Sequence, residues 1–79
     1  MALAKILIVD DLVENLLLLE FALKPFEIEI VKATNADEAE QACFHDQFLM
    51  LILDVHMPGK NGIDLAKDIR VKGLNQLTP

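Results

Sequence analysis

Phe48-Leu49-Met50-Leu51-Ile52-Leu53-Asp54 is the most apolar run in the chain, and it ends on a carboxylate. A continuous aliphatic run of this length fits a strand buried on both faces, as in the middle of a parallel sheet. A second such run, Ile6-Leu7-Ile8-Val9, stops abruptly at Asp10-Asp11. A third extended segment, Glu27-Ile28-Glu29-Ile30-Val31-Lys32, alternates polar and apolar and reads as a half-exposed edge strand. Strands are therefore expected at about 5–9, 27–33 and 48–53.

The stretches between and after them carry helical spacing. Leu16, Leu19 and Leu23 share one face of a helix expected over about 12–24, which Pro25 should terminate. Leu17, Leu18, Phe21 and Ala22 widen its apolar arc beyond one stripe, so this helix needs cover on more than one side. Asn35 fits a helix N-cap, with Glu38 three residues on as in a capping box. That helix is expected over about 36–46, with Ala39, Ala42 and Cys43 as a narrow inner face. Met57-Pro58-Gly59-Lys60-Asn61-Gly62 is turn chemistry. It leads to a third helix over about 62–72, where Ile63, Ala66, Ile69 and Arg70 lie near one another and Gly73 is a plausible stop. Residues 74–79 read as a connector. The order β-α-β-α-β-α specifies an α/β fold with a parallel sheet and right-handed crossovers.

Bulk properties narrow the function. With 79 residues the chain makes one small domain. Its hydrophobic share of 53% is high for that size, which suggests apolar surface that meets something outside these residues. Thirteen acidic against seven basic residues give a net charge of −6, a poor match for nucleic acid. Cys43 is the single cysteine, so no intrachain disulfide forms, which suits a reducing compartment. No stretch approaches the roughly 20 apolar residues of a membrane span, and Asp10-Asp11 cuts the first apolar run too short for a signal peptide.

Asp10, Asp11 and Asp54 each stand just past the carboxyl end of an expected strand. In open parallel α/β sheets, sites form outside those ends, where the strand order reverses. If the first and third strands are neighbours, they lie about 4.8 Å apart and the three carboxylates crowd one pocket. Such crowding repels unless a hard cation or a proton intervenes. Mg²⁺ is the natural occupant, because it takes oxygen ligands and suits phosphate chemistry. The plainer alternative is that each aspartate caps the following helix or begins a loop.

Leu7-Ile8-Val9-Asp10-Asp11, Leu51-Ile52-Leu53-Asp54-Val55-His56-Met57-Pro58-Gly59 and Gly62 together resemble receiver domains of two-component response regulators. The resemblance implies a flavodoxin-like sheet of order 2-1-3-4-5, of which this chain holds 2-1-3. It implies that Asp54 is the phosphoacceptor, taking its phosphoryl group from a phosphohistidine on a sensor histidine kinase or histidine phosphotransfer protein. By the same resemblance Asp11 and Asp54 bind Mg²⁺ directly, Asp10 assists, often through water, and the His56 backbone carbonyl supplies a further ligand. Pro58 and Gly62 would shape the loop and start the third helix. The His56 side chain either tunes water access to Asp54 or is an inert surface imidazole. The module is then a cytoplasmic signalling domain rather than an enzyme, and the first helix contributes to the kinase docking surface.

The departure from the family is in length. A complete receiver has five strands and five helices, against three of each here. The Ser or Thr that ends the fourth strand and the Lys that ends the fifth are expected beyond residue 79. Thr78 stands too early to be that switch residue, and Lys60 and Lys72 are the wrong lysines by position. An open third strand and a leucine-rich first helix predict self-association or a partly molten chain. Two rival functions remain. A phosphohydrolase of the haloacid-dehalogenase type also places Asp after a buried strand, but wants a second Asp where this sequence has His56. A segment incompetent for phosphorylation would act by association alone.

Overall fold

The computed structural model describes residues 3–55, 57, 59, 61–71, 75, 78 and 79. Among them the chain forms β1 (Ala4–Val9), α1 (Val13–Leu23), β2 (Ile28–Ala33), α2 (Ala36–His45), β3 (Met50–Leu53) and α3 (Gly62–Val71). The strands make one parallel sheet in the order β2-β1-β3. His56, Pro58, Lys60, Lys72, Gly73 and Leu74, which carry expectations stated above, lie outside the described residues.

β1 is the central strand, and its two-residue alternation supplies two cores. Leu7 and Val9 face one side, where they pack with Ala39 and Cys43 of α2, Leu65 and Ile69 of α3, and Phe48 and Met57. Ile6 and Ile8 face the other side, against Leu16 of α1. Among the described residues cover is thus unequal: two helices shield one face and one helix shields the other. Leu16 is the buried residue of α1, while Leu17, Leu18 and Phe21 are exposed. Leu19 packs beside Leu16 on this core, and full burial of one leucine contributes about 2 kcal/mol.

Asn35 caps α2, its side chain accepting from the Glu38 N–H at 2.8 Å. The reciprocal half of the expected capping box is displaced by one residue. Glu38 accepts from the Thr34 N–H and hydroxyl, both at 2.7 Å, rather than from the Asn35 N–H. Those bonds hold its carboxyl below the usual range, the hydroxyl contributing most.

The expected start of β3 is corrected. β3 begins at Met50, not Phe48, because the Phe48 N–H donates to Asn75 Oδ1 at 2.7 Å and its ring is core. In α3, Ile63, Ala66, Ile69 and Arg70 lie near one another along one groove, as expected, while the buried residues are Gly62, Leu65 and Ile69 and Ile63 is 53% exposed. Close contact between Gly62 and the Asp54 carbonyl sets that helical phase. The segment expected as a connector carries two buried polar side chains, Asn75 and Thr78.

Asn75 explains its own burial. Its Oδ1 accepts from the Phe48 N–H and from Thr78 Oγ1 (3.0 Å), and its Nδ2 donates to the carbonyls of Cys43 (3.0 Å) and Asp46 (2.8 Å). One amide thereby ties the end of α2, the approach to β3 and the residues after α3 together. Beyond it, the Leu51 N–H donates to the Pro79 carbonyl at 2.8 Å, so the outer side of β3 is engaged at that rung.

Candidate metal and phosphoryl site

β1 and β3 pair directly, with Val9 opposite Leu53. Asp10 and Asp54 are therefore each one residue past a matched pair, at the same edge of the sheet. Backbone bonds fix both: the Asp54 N–H donates to the Val9 carbonyl at 2.9 Å, and the Asp10 N–H to the Ala33 carbonyl at 3.1 Å. Asp11 joins them where the chain turns from β1 into α1. One carboxylate oxygen from each of Asp10, Asp11 and Asp54 lies within 4.8 Å of the others.

The sequence fails to signal how Asp10 is held. Its Oδ1 accepts from the Leu12 N–H at 2.9 Å, and its Oδ2 accepts from Asn15 Nδ2 at 3.1 Å. The first bond makes a tight aspartate turn ahead of α1. That bond also gives the bland reading of Asp10 as a helix-starting residue its share of truth. Asp11 and Asp54 are half-buried, and Asp10 is 9% exposed.

The wall beside Asp54 is built by the start of α3. Asn61 caps that helix, accepting from the Asp64 N–H at 2.9 Å through its side chain and from the Leu65 N–H at 3.0 Å through its carbonyl. The Gly62 N–H donates to the Val55 carbonyl at 3.3 Å. A Cβ at Gly62 would stand 2.2 Å from the Asp54 carbonyl oxygen, so a side chain has no room there. Gly59 takes φ +80°, a conformation open to glycine at little cost. Met57, buried against the α2–α3 side of the core, anchors the loop between β3 and α3.

Helix polarity assists the acidic cluster. α1 begins two residues after Asp11 and α3 begins against the Asp54 backbone carbonyl, so two helix starts, the ends that favour negative charge, lie near the cluster. The donors are all oxygens and all anionic, the set a hard divalent cation prefers. Mg²⁺ fits these residues. Cys43 stands apart in the core, where burial pushes its thiol up to about 11, with Glu40 adding to the shift.

Residues 6–78 match the response regulator receiver domain. The chain belongs to that family. Among curated relatives of this receiver, the transcriptional regulatory protein ResD of Bacillus subtilis is 37% identical over 68 residues, covering 86% of the chain and 28% of ResD. Sensor kinases are among its relatives as well. The chemotaxis protein CheY4 of Vibrio cholerae superposes with a TM-score of 0.91 at 29% identity, covering 99% of the chain and 65% of CheY4. The response regulator TrrA of Thermotoga maritima, solved in complex with Mg²⁺-BeF, superposes with a TM-score of 0.81 at 37% identity, covering 86% of the chain and 59% of TrrA. The receiver thus spans less than two thirds of the length of each. Its CheY-like topology, three parallel strands ordered 2-1-3 with three helices, is the one the sequence predicts. No helix among the described residues is long and apolar enough to cross a membrane.

Proposed function

We propose that this receiver is a phosphoacceptor module of a two-component phosphorelay, with Asp54 as the residue phosphorylated. The observation that carries the reading is the meeting of Asp54 with Asp10 and Asp11 at the carboxyl edge of the sheet. In the proposed step a carboxylate oxygen of Asp54 attacks the phosphorus of a phosphohistidine. A P–O bond forms, the P–N bond breaks, and the departing imidazole nitrogen takes up a proton. Bound Mg²⁺ would neutralise the phosphoryl oxygens and screen the attacking carboxylate. Asp11 and Asp54 would hold it directly, with the His56 carbonyl as a further ligand and Asp10 supporting. The chain's own part is positioning: the backbone bonds of Asp10 and Asp54 and the wall at Gly62 fix the nucleophile against the site.

The donor is a sensor histidine kinase or a histidine phosphotransfer protein, and the setting is cytoplasmic. The module passes a signal rather than turning over a substrate. Two apolar surfaces favour association with further copies: the exposed leucines of α1, and a groove of about 500 Å³ between β3 and α3, lined in part by Leu51, Leu53, Ile63 and Ala66.

Incubation with a small phosphoramidate donor, followed by intact mass spectrometry, tests the reading. The expected result is one added phosphoryl group that requires Mg²⁺ and vanishes in Asp54→Asn. Phosphorylation that persists in Asp54→Asn contradicts it. Rapid turnover of phosphate esters points to the hydrolase, and no uptake at all to a module that acts by association alone.

A further inference from the structure

Asp10 is the least exposed member of the carboxylate cluster, and both its oxygens already accept a hydrogen bond from the chain. The Leu12 N–H is a backbone donor that the turn supplies whatever the side chains are. The Asn15 amide is a choice made by the sequence. A carboxylate only accepts, so Asn15 must present its NH₂ to Asp10, which fixes the orientation of both groups.

Helix formation does not call for this contact. α1 starts on backbone bonds, with the N–H groups of Asn15 and Leu16 both donating to the Leu12 carbonyl. Asparagine is a mediocre helix former, and nothing about the first turn favours it at this position. Its side chain is half-buried, between the exposed Glu14 and the buried Leu16, and is turned toward the site. A neutral donor also has a consequence that Lys or Arg would not share. It aligns Asp10 without cancelling any of the negative charge gathered for a cation.

We propose that Asn15 is a positioning residue of the cation site. Its amide locks the Asp10 carboxylate in the orientation that turns its remaining lone pairs toward Asp11 and Asp54. Outer partners that orient ligating groups typically change metal affinity by about 10–100-fold when removed. The inference rests on the cation site proposed above, and the test separates the two.

Mg²⁺ alone is titrated into the ¹⁵N-labelled chain, and into Asn15→Ala and Leu17→Ala, the latter an exposed position on the same helix. In the wild type the Asn15 side-chain NH₂ resonances are expected to move with the same dissociation constant as the backbone amides of Asp11 and Asp54. Asn15→Ala is expected to bind Mg²⁺ about tenfold more weakly, the low end of that range because the Leu12 donor remains. Leu17→Ala is expected to bind as the wild type does. Thermal melts without Mg²⁺ control for stability. Asn15→Ala that melts lower but binds Mg²⁺ as tightly as wild type overturns the inference and leaves Asn15 a structural residue. A wild type that binds no Mg²⁺ overturns the site itself and this inference with it. If Asn15→Ala fails to fold, the wild-type NH₂ resonances decide: movement with Mg²⁺ supports the role, and indifference overturns it.

Discussion

Asp10, Asp11 and Asp54 were readable as a group because each follows an apolar run, and two parallel strands that end alike bring their next residues together. Asn15 and Asn61 were harder to read. Asn61 carried a usable signal, a capping residue placed before an apolar-periodic stretch. Asn15 carried none, since its partner is set by the turn at Asp10-Asp11, whose geometry is not written in residue spacing. Gly62 was readable as turn chemistry, but its real constraint is contact with the Asp54 carbonyl. Gly62→Ala is therefore expected to cost about 2–3 kcal/mol through overpacking against backbone. It should also weaken Mg²⁺ binding by displacing Asp54. Denaturant unfolding and a Mg²⁺ titration of the variant check this, and unchanged values for both would mean that α3 slides away at no cost.

At the scale of elements, hydrophobic period located all six, and the misses lay where tertiary contacts outranked it. Ile63 has the hydrophobicity of a core residue, yet Leu65 takes the core because Gly62 fixes the rotation of α3. Phe48 belongs to the apolar run but leaves the ladder, since its N–H is claimed by Asn75. A polar residue in an apparent connector gives no warning that it will be buried with four hydrogen bonds. Asn75→Ala strands the Phe48 N–H and the Cys43 and Asp46 carbonyls together. The expected loss is about 3 kcal/mol, at the upper end for unsatisfied buried groups because several are affected. A thermal melt measures it, and a loss below about 0.5 kcal/mol would show that water replaces the amide without penalty.

For the whole molecule, the unequal cover of the sheet matters most. α2 and α3 close one face, while α1 shields the other through Leu16 and leaves Leu17, Leu18 and Phe21 exposed. On the outer side of β3 the Leu51 N–H is taken by Pro79, and the two-residue alternation points the Leu53 N–H the same way. The excess of apolar residues in the composition thus corresponds to located surface. This 79-residue chain is expected to sediment with a concentration-dependent weight, and Phe21→Glu or Leu53→Lys should reduce that dependence. A sharp monomer at every concentration would contradict it.

On the proposed reading, Asp10, Asp11 and Asp54 form one cation site at the carboxyl edge of β1 and β3. A ¹⁵N–¹H correlation spectrum with increasing Mg²⁺ tests it most directly. Dispersed peaks and saturable shifts concentrated at these three residues and at the start of α3 are expected. Well-dispersed peaks that do not respond to Mg²⁺, or shifts spread evenly over the acidic surface, would contradict it.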